Sequence, residues 1–200
     1  MGLERGSEGK SCHESNFQQP PRNAEPGTRA DHRSEAAFAA KKQVWAIRAR
    51  LELAGYLRDL TLFNVAIDSK LRGCDLVKIR IGDVAAGGEI RRRATVIQQK
   101  TGRPVQFEIT QTARESLSGW LQVRGGALED FVFPSRLRRC PHIGTRQHAR
   151  LVSEWVEAIG LPPEEYGTHS LRRTKASLIH KKTGNLRAVQ ILLGLSLIHI

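Results

Sequence analysis

Two hundred residues suffice for one well-buried core, and 40% hydrophobic with 26% charged residues is the composition of an ordinary soluble globular chain. The charge balance is not ordinary: 32 Lys and Arg against 20 Asp and Glu leave +12, an excess that attracts polyanions, nucleic acid foremost. The basic residues are spread along the chain rather than gathered on a membrane-surface helix, no apolar run reaches membrane-spanning length, and three distant cysteines (Cys12, Cys74, Cys140) argue against a disulfide framework or a structural zinc site, so a cytoplasmic protein without metal or cofactor is expected.

Residues 1–34 are polar and rich in Pro, Gly, Ser and charge, and read as a disordered tail. Pattern begins with "SEAAFAAKKQVWAIRARLELAG", where Val44, Ile47, Leu51 and Ala54 keep helical spacing, Ser34 can cap and Gly55 ends the run. "YLRDLTLFNVAIDS" repeats the pattern through Leu60, Phe63 and Ile67. A third, short helix is expected in "DSKLRGCDLVKI", with Asp68 or Ser69 as N-cap, and "GDVAAGG" breaks the pattern. "EIRRRATVIQQ" and "PVQFEIT" then read as a hairpin, since Val105, Phe107 and Ile109 alternate with Gln106, Glu108 and Thr110. The turn "KTGR" puts Lys100 at its tip. "TARESLSGWLQVRGG" predicts a helix with a Thr112–Glu115 capping box, "FVFPS" a short strand, and "TRQHARLVSEWVEAIGL" a helix with Val152, Trp155, Val156 and Ile159 inward. A helix from about His169 closes at Gly184, and Asn185 can cap a last one through Val189, Leu192 and Leu193. The fold class is therefore α+β and mostly α, a helical bundle with one small antiparallel hairpin.

His169 and Arg172 are three residues apart and share a helix face, which places an imidazole beside a guanidinium. By residue type alone these two could equally cap a helix and pair with Glu164 or Glu165. Arg72 could be a solvated surface residue, and Lys100 a solubilising charge on a turn.

Three blocks in order narrow the choice. "DSKLRGCDLVKIRIGDV", "VIQQKTGRPVQFEIT" and "HSLRRTKASLIHKKTGNLRAVQILLG" resemble the arginine block, the lysine hairpin and the His-x-x-Arg helix of the tyrosine recombinases, the phage integrase family of DNA strand-exchange enzymes. The resemblance covers residues 35–194 and implies that family's catalytic-type domain. In such enzymes a tyrosine hydroxyl attacks a DNA phosphodiester, leaving a phosphotyrosine link and a free 5′-hydroxyl, and the reverse attack reseals the backbone. It implies Arg72 and Arg172 as the guanidinium pair on the phosphate, Lys100 as general acid, His169 as its partner on the nucleophile side, and Asp75 as support for Arg72. Arg91, Arg92, Arg93, Arg173 and Lys175 are expected to reach DNA phosphates. Double-stranded DNA is the implied partner, with a tetramer on paired sites as the family's assembly.

Two features of that pattern are missing. The family has a histidine or tryptophan after "LLG", where this chain has Leu195, and a tyrosine about two to three helical turns further on. Residues 195–200, "LSLIHI", read instead as an aberrant end, and the two tyrosines, Tyr56 and Tyr166, lie elsewhere. The expectation is a truncated or frame-altered recombinase, inactive as it stands. The alternative is a non-catalytic DNA-binding protein derived from an integrase. An RNA-binding protein ranks last, because single-strand recognition wants stacking platforms and aromatics are only 6% of the chain.

Overall fold

The computed structural model describes residues 37–38, 41–136, 140–185 and 187. The polar tail, the Ser34 cap, the last helix through Val189, Leu192 and Leu193, and residues 195–200 lie outside them.

One helix organises the rest. α1 (Lys41–Leu53) buries Val44, Ile47 and Leu51 against α2 (Leu57–Ser69), as their spacing predicts. Every residue of α2 from Leu60 to Ser69 is buried, because α1, α5 (Gln111–Arg124) and α7 (Thr168–Thr183) pack around it. Large apolar side chains such as Leu62 and Phe63 each contribute about 1.5–3 kcal/mol there. Its polar side chains are satisfied locally: Thr61 Oγ1 donates to Ser116 O at 2.8 Å, and Asn64 accepts from Arg48 Nε at 2.7 Å. The Trp155 ring from α6 (Thr145–Glu157) meets Phe63 edge-on at 5.6 Å.

The last turn of α2 departs from the sequence expectation. Asp68 and Ser69 do not cap a third helix; they complete the second, and Lys70 ends it in the left-handed conformation (φ 54°). α3 (Gly73–Leu76) starts after Arg72, whose extended backbone serves as N-cap. "GDVAAGG" is more ordered than its glycines suggest. It carries most of the one-turn α4 (Ile81–Val84) and the strand β1 (Ala85–Ala86), which pairs with β2 (Glu89–Ile90) just beyond it in a two-residue ribbon. The expected hairpin forms as β3 (Arg93–Ile97) against β4 (Pro104–Glu108), with Ala94 opposite Phe107 on the buried face.

Two smaller expectations fail. The N-cap of α5 is Thr110, not Thr112, because the Asp68 carboxylate draws in both the N–H and the hydroxyl of Thr110. "FVFPS" makes only an isolated bridge, Arg80 to Phe131, followed by single bonds from Val132 N to Ile79 O and from Ile143 N to Phe133 O. In α6 the buried side is Leu151, Val152, Trp155 and Val156, joined by His148, while Ile159 lies past the helix end and only partly buried.

Lys70 yields a stability prediction. A left-handed residue with a Cβ costs about 1–2 kcal/mol, and Lys70 also buries its amine. Burial, with repulsion from Lys175, lowers its pKa to about 8 against the opposing pull of Asp68. A base with a depressed folded pKa costs stability below that value and ceases to do so as pH rises towards its unfolded value. Lys70→Gly should therefore stabilise the protein by at least ~1 kcal/mol at pH 7, with a smaller gain at pH 10, in urea titrations at both pH values.

Candidate active site

The segment leaving α2 carries the first guanidinium. Arg72 is half-buried, and its Nη1 donates to Gln98 Oε1 at 3.0 Å. The same oxygen accepts from Thr101 Oγ1 at 2.9 Å, so one buried amide joins the arginine to the hairpin turn. One residue on, Gln99 N donates to Asp75 Oδ1 at 3.0 Å. Two bonds thus tie the turn to the Arg72–Asp75 segment, and Lys100 is the next residue, exposed at the tip.

Helix α7 brings the second. Its start is set by Gly167, whose N–H donates to Ser170 Oγ at 3.1 Å and whose carbonyl accepts from Ser170 N at 3.0 Å. His169 is exposed in that first turn, and Arg172 follows half-buried one turn later. The Arg172 guanidinium holds its proton less tightly than an ordinary arginine. Burial is the first cause and repulsion from Arg72 the second, while Asp75 acts in the opposite sense. Charges couple this way only at short range. Arg72, Asp75 and Arg172 therefore lie near one another, although 100 residues of sequence separate the two arginines.

The remaining basic residues divide. Arg91, Arg92 and Arg93 are exposed ahead of and at the start of β3, and Arg173 is exposed on α7. Lys175, expected to reach a DNA phosphate, is engaged with a carboxylate of α2. Its ammonium lies 2.8 Å from Asp68 Oδ1, on a carboxylate only 3% exposed. Asp68 Oδ2 accepts from Thr110 N at 2.9 Å and Thr110 Oγ1 at 2.6 Å. Of the two tyrosines, Tyr56 is exposed at the far end of α2, and Tyr166 stacks on Phe38 with ring centroids 4.9 Å apart.

His148 completes the surroundings unannounced. It is 1% exposed, and neither ring nitrogen has a hydrogen-bond partner among the described residues. A methyl group placed on Gly73 would stand 3.3 Å from its Nδ1 and 3.8 Å from Thr168 Cβ. The imidazole therefore packs where the Arg72 segment meets the first turn of α7. Burial lowers its pKa to about 4, so it is neutral near pH 7. Gln98 and His148 gave no separate signal in the sequence, each being one polar residue in a mixed string, and Asp68 signalled only a helix cap.

The model of the phage integrase family matches residues 38–200, the whole of this arrangement included. The chain belongs to the phage integrase family. This integrase-family chain is 32% identical over 141 residues to the tyrosine recombinase XerC of Actinobacillus pleuropneumoniae serotype 7, a match covering 69% of the chain and 44% of that protein. It is 32% identical over 145 residues to XerC of Vibrio atlanticus, covering 69% and 43%. The chain thus spans less than half the length of these curated relatives. Among solved structures, XerA recombinase superposes with a TM-score of 0.66 at 18% identity, over 78% of this chain and 55% of that one. A lambda integrase dimer bound to a COC′ core site gives 0.59 at 21%, over 83% and 59%. At those identities the likeness establishes the fold: mostly helical, with small antiparallel sheets. Among the described residues no helix is long and apolar enough to cross a membrane.

Proposed function

We propose that this domain grips one backbone phosphate of double-stranded DNA for strand cleavage and rejoining through a phosphotyrosine intermediate, the reaction of a site-specific recombinase. The observation that carries this reading is the pair of hydrogen bonds that join Arg72 and Asp75 to the turn bearing Lys100, with Arg172 near enough to feel both charges. A phosphorane develops extra negative charge on its non-bridging oxygens. Two guanidinium forks converging in a partly dry site bind that charge more strongly than they bind the ground state. Lys100, on an exposed turn anchored through Gln98 and Gln99, delivers a proton to the leaving 5′-oxygen. His169, in the first turn of α7, holds a phosphate oxygen and assists the nucleophile side, where the helix N–H groups add to the attraction. Asp75 orients the arginines. Arg91, Arg92, Arg93 and Arg173 supply backbone contacts that position the duplex.

Neither Tyr56 nor Tyr166 is the nucleophile in this reading, so the chain by itself binds DNA without attaching to it. Incubation with a nicked suicide duplex should yield no covalent adduct; an adduct at either tyrosine would overturn that assignment. Duplex binding, followed by fluorescence anisotropy, should weaken about 10³-fold or more between 50 and 200 mM salt if six or more phosphates are contacted. A flat titration would count against DNA as the partner.

A further inference from the structure

Lys175 and Asp68 do something that the proposed chemistry does not use. Lys175 lies three residues after Arg172 in α7, on the same side of the helix. Asp68 lies four residues before Arg72, in the last turn of α2. Their contact at 2.8 Å therefore joins the two elements that carry the two guanidiniums, at a comparable short distance along each. The carboxylate is held from the other side by the N–H and hydroxyl of Thr110, the residue that starts α5. Three elements meet on one buried anion.

The pair is an expensive way to hold a fold together. A carboxylate 3% exposed with a lysine side chain 22% exposed has lost much of its hydration, and apolar residues of the same size often serve stability equally well. A directional ion pair does what an apolar contact cannot: it fixes register. Helix α7 could slide or rotate against α2 over a greasy surface with little change in energy, and Arg172 would move with it. Tied to Asp68, it cannot.

We infer that Asp68 and Lys175 are positioning residues, a buried latch that sets Arg172 against Arg72 so that both guanidiniums reach one phosphate. This rests on the reading of Arg72 and Arg172 as the phosphate-binding pair. Neither latch residue touches the phosphate itself; they act through the backbone of α7 and of the Arg72 segment.

Inorganic phosphate, titrated into the 200-residue chain and followed by the broadening of its ³¹P resonance, is the probe. Lys175→Met should weaken phosphate binding about tenfold, Asp68→Asn by a similar factor, and the double variant no further, because the two residues act as one unit. Lys175→Arg, which keeps the ion pair, should stay within about threefold of the parent. In duplex binding, Lys175→Met should leave the slope of log affinity against log salt unchanged, whereas loss of a direct phosphate contact lowers it by about one. Should Lys175→Met not fold, Asp68→Asn carries the test, since its amide oxygen still accepts from Thr110. Additive losses in the double variant, a reduced salt slope, or full phosphate affinity in Lys175→Met alongside its loss in Arg172→Ala would each overturn the latch. If neither Arg72→Ala nor Arg172→Ala weakens phosphate binding, the phosphate-pair reading itself fails and the latch with it, an outcome distinct from the other three.

Discussion

Asp75→Ala should cost this protein about 3 kcal/mol of stability in low salt, the lower end of what removal of one member of a buried charge cluster costs. Asp75 is 2% exposed and accepts from Gln99 N through Oδ1, while Oδ2 has no hydrogen-bond partner among the described residues. Its charge favours the protonated Arg172, which burial and Arg72 both disfavour. Without the carboxylate, two guanidiniums repel each other in half-buried surroundings and the hairpin turn loses one of its two ties to the Arg72–Asp75 segment. The repulsive part is screened by ions and the lost hydrogen bond is not. Urea titrations at 20 mM and 500 mM salt separate them: the deficit should shrink in high salt without vanishing. An equal deficit at both salts would show that Asp75 acts through Gln99 alone, and no deficit would remove it from the cluster.

His148→Leu carries the second large effect, and it lies in acid. The imidazole is buried and neutral, with a pKa lowered to about 4 against an unperturbed value of about 6.5. As pH falls through that window the unfolded chain takes up a proton that the folded one refuses, so stability is lost between about pH 6.5 and pH 4 and no further below. The difference amounts to roughly 3 kcal/mol at 1.36 kcal/mol per pH unit, with little discount for solvent because the ring is 1% exposed. Leucine cannot titrate. It also removes two buried nitrogens without partners, which should add about 1 kcal/mol at pH 7. The variant should thus be modestly more stable at neutral pH and about 3–4 kcal/mol ahead at pH 4, read as the shift in urea midpoint between the two. Parallel acid profiles for parent and variant would place the acid sensitivity in another group.

Both effects concern groups whose partners are remote in sequence, and that decides what could be read without coordinates. Helices α1, α2 and α6 were legible because their apolar residues recur at helical spacing, and a 3.6-residue repeat is a local property, while α7 was read from the spacing of His169 and Arg172 and its stop at Gly184. The β3–β4 hairpin was legible for the same reason at a period of two, and the Gly of "KTGR" located its turn. Residue type alone left the arginines, lysine and histidine of the three blocks undecided between surface charges and a site, and only the order of the blocks and their resemblance to the family singled them out.

The misses share one cause. Asp68 has the right residue type and position for an N-cap, yet tertiary packing extends α2 through it and surrounds its carboxylate with Thr110 and Lys175. Thr112 lost its capping role to Thr110 through that same carboxylate. Lys175 looked like one more phosphate contact in a basic helix, because sequence registers its charge and is blind to an acceptor 107 positions away. By itself, then, the sequence determined the elements, their inward faces and the kinds of side chain available for chemistry, since all of these follow from spacing along the chain. Which cations lie near one another, which one is held by a buried carboxylate, and which histidine is stripped of water are properties of distance in space. Only the packing of α2 against α7, α5 and the Arg72 segment decided them.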